Sequence, residues 1–188
     1  MLKWKSLVTI VVTVGVVALL AVHAQPKNTK ESTLTALDYA EIQQLNAHYA
    51  NAFDSCADKG REWASLFTPD GVFMIGSTRK FEGREALATY AGSPRYCDPP
   101  KSALTINHVS ANVMIEPSRE GAIGKSYLLR VNFGQDGKGE ISEAGKYYDV
   151  YVKTAEGWRF KSRKYVMGQD LSLIPESELS HHPLSTAH

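Results

Sequence analysis

The stretch Ala36–Asp54, ALDYAEIQQLNAHYANAFD, decides how the rest of the chain is read. Ile42, Leu45, Tyr49 and Phe53 recur at the spacing of one helical face, which predicts an amphipathic helix with these side chains turned inward. Glu41, Gln43, Gln44, Asn46 and Asn51 fill most of the remaining surface and are expected to meet water. Thr35 followed three residues later by Asp38 has the form of a capping box. The geometry carries the Tyr49 phenol inward and leaves Asp54 in the last turn, at a rim. A carboxylate there is disfavoured by the helix dipole, so it is either solvated or answered by a positive or proton-bearing group. His108, far along the chain, is the candidate partner.

Outward from that helix the chain first keeps a helical character. Arg61–Phe67 reads as a short helix carrying Trp63, Leu66 and Phe67 inward, and Thr68–Gly71 (TPDG) as a turn. Val72–Ile75 and Arg79–Phe81 form a hairpin, Gly83–Tyr90 another short helix, and Tyr96–Lys101 a proline-rich loop. From Leu104 the period changes to two. Strands are predicted over Leu104–Ile115, Gly121–Phe133, Lys146–Lys153 and Trp158–Met167, separated by turns. Helices first and long antiparallel strands afterwards indicate an α+β domain over residues 35–168, followed by an aperiodic tail at 169–188.

The 188 residues carry 21 basic and 20 acidic groups, a net charge of +1 that gives no reason to propose nucleic acid as a partner. Hydrophobic content of 43% argues for a packed globule. Lys3 and Lys5 precede the apolar run Leu7–Leu20 and the small residues up to Ala24, the order of a secretory signal at 1–24, with a flexible lead at 25–34. Cleavage would leave no stable membrane span and an exported, periplasmic or secreted protein; the alternative is an N-terminal membrane anchor. In an oxidising compartment Cys56 and Cys97 can form one disulfide, the alternative being two free thiols. His181-His182 lacks partners at metal-ligand spacing, so no metal site is assigned.

His108 stands mid-strand, and alternation puts Ile106, Ser110, Asn112 and Met114 on its face. That mixture suits a pocket lining with a few convergent polar groups. Imidazole is the side chain best placed to carry protons near neutral pH, and an Asp against its other nitrogen would fix the tautomer. The alternative is a buried His merely satisfied by the backbone.

The ordered series YANAFD, LFTPDGVF, GREAL, INHVSANV, GKYYDVYVK and GWRFKSRKY resembles the SnoaL-like branch of the nuclear transport factor 2-like superfamily over Thr35–Met167. The resemblance implies a cone-shaped, curved, mostly antiparallel sheet wrapped around the N-terminal helices, with an internal apolar pocket. Members that it implies as analogues include scytalone dehydratase, a bile-acid 7α-dehydratase and hexachlorocyclohexane dehydrochlorinase, which move protons on small hydrophobic molecules without a cofactor. By resemblance, Tyr49, Asp54 and His108 would be catalytic, and Arg163 would contribute from the last strand. Arg163 alternates out of phase with Trp158 and Phe160, which leaves its orientation open. Tyr147 and Asp149 share a strand face and are further candidates for the lining, with Asn112. The same fold also serves as a binding module, so an exported, non-catalytic small-molecule-binding protein is the alternative.

The face opposite His108 carries Val109, Ala111, Val113 and Ile115. Left bare, this set would form an apolar patch of a kind that monomers seldom expose. Leu171, Leu173 and Ile174 of the tail, or a second copy of the chain, would cover it; a homodimer is expected.

Overall fold

Thr35 caps helix α1 (Ala36–Asp54). Its Oγ1 accepts the Asp38 N–H at 3.2 Å, and the Asp38 carboxylate accepts the Thr35 N–H at 2.8 Å. Ile42, Leu45, Tyr49 and Phe53 are buried, as the periodicity predicts. Asn46 is not solvent-facing as expected but 2% exposed. It lies one turn beyond Ile42, at the edge of the buried stripe, where its amide donates to the Ile42 carbonyl at 2.9 Å and the Tyr151 hydroxyl at 3.0 Å. The computed structural model describes residues 33–97, 106–134 and 136–168. The expected signal at 1–24, most of the expected lead and the tail with Leu171, Leu173 and Ile174 lie outside the described residues.

Beyond α1 the chain turns through residues 56–60 with positive φ at Cys56, Asp58 and Lys59. It then forms α2 (Arg61–Ser65), and after a hairpin α3 (Arg84–Ala91) and α4 (Pro94–Cys97). Cys56 and Cys97 are disulfide-bonded, their Cα atoms 5.4 Å apart, which ties α4 to the end of α1. A Cβ on Gly60 would stand 2.5 Å from the Gly92 nitrogen, so only glycine lets these two backbones meet.

Six strands follow the order β2-β1-β6-β5-β4-β3 in one curved, open sheet. They are β1 (Phe67–Ile75), β2 (Arg79–Glu82), β3 (Ile106–Ser118), β4 (Gly121–Phe133), β5 (Gly139–Thr154) and β6 (Gly157–Met167). Neighbours are antiparallel except β1 and β6, which run parallel. The TPDG stretch is an excursion inside β1, not a turn before it: the register jumps from Phe67↔Phe160 to Val72↔Ser162.

Two bulges decide which side chains face α1. In β6, Phe160 pairs with Tyr151 and Ser162 with Val150, so Lys161 is an extra residue and the alternation inverts. Trp158 and Phe160 face inward before it, Arg163 and Tyr165 after it. The phase mismatch in the sequence is thereby resolved. In β3, Ala111 pairs with Tyr127 and Met114 with Lys125, leaving one extra residue around Asn112, which adopts φ 52°. Asn112 and Met114 are therefore exposed on the outer face, while Ile115 packs against the core. This corrects two expectations: Asn112 does not share the face of His108, and Val109, Ala111, Val113 and Ile115 are not one outward row.

Candidate functional site

A cavity of about 390 Å3 opens between the end of α1, the α3–α4 segment and the inner face of the sheet. Tyr49 and Phe53 line it from α1, one turn apart. His108 lines it from β3, its ring edge-on to Phe53 with centroids 5.2 Å apart. Asp54 follows Phe53 and reaches the same strand. Its Oδ2 accepts the His108 backbone N–H at 2.7 Å, and its Oδ1 meets the ring Nδ1. Both side chains are largely buried, at 14% and 16% exposure. An Nδ1–H bonded to the carboxylate leaves Nε2 with its lone pair free, the tautomer a general base requires.

Tyr147 joins Tyr49 in the inner wall, ring centroids 5.7 Å apart and nearly perpendicular. Burial, with the facing Tyr147 hydroxyl, pushes the Tyr49 phenol well above its ordinary value, and burial raises Tyr147 too. Both phenols stay protonated near neutrality and act as hydrogen-bond donors.

Behind that wall, out of the cavity, lies a buried ion pair. Arg163 donates from Nε to Asp149 Oδ1 and from Nη2 to Oδ2, each at 2.7 Å, and Nη2 also meets Asn46 Oδ1. The Tyr151 hydroxyl donates to Asp149 at 2.7 Å. The guanidinium lies 4.1 Å from the Tyr49 and Tyr147 ring centroids and 4.2 Å from that of Phe160. Burial opposes its charge, and the Asp149 carboxylate more than offsets this, so Arg163 remains protonated. Arg163 and Asp149, read as lining residues, instead support the ring of Tyr49 from behind.

The structure thus brings Tyr49, His108 and Tyr147 to the wall of one cavity, with Asp54 bonded to His108 outside that lining, and sends Asn112 to the opposite face of the sheet. It also adds residues that the sequence reading missed. Arg79, Tyr90, Arg95 and Tyr96 come from β2 and the α3–α4 segment, and Arg130 with Glu143 from facing strands. Arg130 and Glu143 pair across β4 and β5 with 3.2 Å between charged atoms. Their opposite charges on facing strands were the available signal, but the strand expected over Lys146–Lys153 begins at Gly139, so Glu143 lay outside the expected range. Among the described residues no group of three His, Cys, Asp or Glu side chains is placed to hold a metal ion.

The family model for a SnoaL-like domain matches residues 34–164. The anthranilate 1,2-dioxygenase small subunit of Burkholderia cepacia is 25% identical over 137 residues, covering 67% of this chain and 84% of the relative. A protein of Catenulispora acidiphila, solved in complex with S-DNPA, is 27% identical with a TM-score of 0.59, covering 71% of this chain and 95% of that one. An NTF2-like protein with a cystatin-like fold from Novosphingobium aromaticivorans superposes with a TM-score of 0.64 over 73% of this chain and 86% of its own. At 18% identity that last likeness concerns the fold alone. With the matched domain spanning most of the chain, the protein belongs to the SnoaL-like family, and its fold is that of an NTF2-like protein.

Proposed function

We propose that the protein processes a small, largely hydrophobic molecule in the cavity as a cofactor-independent lyase or isomerase of the dehydratase type. The observation that carries this reading is the Asp54–His108 pair, which leaves the imidazole Nε2 free on a residue of the cavity wall. His108 takes a proton from a carbon next to a carbonyl, and the electron pair moves to form a double bond as hydroxide leaves, or onto the oxygen as an enolate. Asp54 holds the ring and stabilises the imidazolium. Tyr49, kept protonated by burial, donates to the oxygen that gains charge. A solved relative in complex with S-DNPA supports a ligand cavity of this kind.

The experiment is deuterium wash-in. Aromatic ketones and β-hydroxy ketones are incubated in D2O with the protein, and exchange or elimination is followed by NMR. A positioned base contributes roughly 10²–10⁴ in rate, so His108→Ala should lose that factor while its circular dichroism stays unchanged. Undiminished turnover in this variant would remove His108 from the mechanism.

The match to a protein named as a small subunit favours a second reading, in which the cavity binds without chemistry. Ligand recovered unchanged after long incubation, with protection against heat, would select it. The Cys56–Cys97 bond fits the oxidising compartment of an exported protein. The outer sheet face, where Met114, Ile123 and Tyr127 are 39–47% exposed, fits a second copy of the chain.

A further inference from the structure

Two guanidinium groups, Arg79 and Arg95, stand at the mouth of the cavity with no carboxylate of the described residues paired to them. Arg79 lies over the rings of Phe81 and Tyr90, 5.5 and 5.8 Å from their centroids, and Arg95 over Tyr96 at 5.5 Å. The two tyrosines form one platform: their rings are 5.1 Å apart and the Tyr90 hydroxyl donates to that of Tyr96 at 3.1 Å. The other guanidinium of the lining, Arg130, is already matched by Glu143. Among the described residues no carboxylate lies within ion-pair distance of Arg79 or Arg95, so the described lining carries an excess of positive charge.

Each guanidinium lies within cation–π range of its ring, and its N–H fork has no carboxylate acceptor among the described residues. That fork matches a carboxylate in two parallel hydrogen bonds. Beneath it, Phe53, Phe73 and Tyr147 offer ring faces and edges to a flat apolar body. A cavity of about 390 Å3 is within the size range of small-molecule sites.

We propose that the substrate is an aromatic carboxylate, held with its ring system among the cavity aromatics and its carboxylate at Arg79 and Arg95. This rests on the reading of the cavity as the substrate site and narrows it from a hydrophobic molecule to an anionic one.

Isothermal titration calorimetry with 2-naphthoate and its neutral counterpart 2-naphthamide tests the proposal. The wild type should bind the carboxylate at least about tenfold more tightly, the order expected of one hydrogen-bonded charge. The preference should shrink in Arg79→Gln and in Arg95→Gln and weaken as salt is raised. It should persist in Arg119→Gln, which removes an exposed charge that does not line the cavity. Equal binding of the two probes, no binding of 2-naphthoate, or a preference surviving the double Arg79→Gln, Arg95→Gln variant overturns it. Binding needs no turnover, so His108→Ala should keep the preference. An intact preference without dyad-dependent turnover sinks only the lyase reading, and the reverse result sinks only this one.

Discussion

Asp54 holds His108 at two points, accepting its backbone N–H at 2.7 Å with one oxygen and meeting its ring Nδ1 with the other. One carboxylate therefore fixes both the strand position and the imidazole orientation. It also explains how an acid is tolerated at the C-terminal end of α1, where the helix dipole disfavours it. Asp54→Asn keeps the shape but removes the charge that stabilises an imidazolium. We expect kcat to fall by roughly 10²-fold or more with KM little changed, and the pH profile of kcat to shift. A profile and rate equal to wild type would reduce Asp54 to a structural role.

The Arg163–Asp149 pair is fully buried, so removing one partner strands the other charge. Arg163→Met should destabilise the fold by about 3–5 kcal/mol, read as a lower urea midpoint. Arg163→Met with Asp149→Leu should recover part of that loss. A double variant less stable than Arg163→Met alone would contradict the pairing energetics.

Asn112 holds the β3 bulge with φ 52°, a region glycine adopts freely and β-branched residues resist. Asn112→Gly should leave thermal stability nearly unchanged, whereas Asn112→Val should cost on the order of 1–3 kcal/mol. Equal melting temperatures for the two variants would show that the bulge does not depend on this conformation.

Asp38 is held well below its ordinary value of 3.8 by Lys153 foremost, then by Thr35 and Trp158. A depressed folded-state value means that the stabilisation is complete above the unfolded value and is lost as pH falls below it. Melting temperature should therefore drop between pH 4 and pH 2 in the wild type and drop less steeply in Asp38→Asn. Parallel curves for the two proteins would exclude this linkage.

On the outer face of the sheet Ile123 is 39% exposed beside Met114. If a second copy covers this face, sedimentation of the wild type should give a dimer and Ile123→Glu a monomer of unchanged circular dichroism. A wild type that is monomeric at high micromolar concentration would contradict the pairing.

The capped amphipathic helix, the α+β order of elements and the inward course of Tyr49 were legible in the sequence, because each depends on spacing within one segment. So was the candidacy of Asp54 and His108, through residue chemistry and through family resemblance. Their contact was not legible, since it joins residues 54 positions apart and depends on how α1 lies against β3. The same limit hid the fate of Arg163 and Asn112. Strict alternation assigns a strand's faces only while every residue is paired, and one unpaired residue inverts all that follow. The extra residue at Lys161 turned Arg163 inward to Asp149, and the one at Asn112 turned that side chain out of the cavity. Bulges are settled by how a strand fits its neighbours, and no single segment carries that information. The arginines at the cavity mouth show the limit again: Arg79 and Arg95 come from separate elements and share one aromatic platform only once the chain has folded.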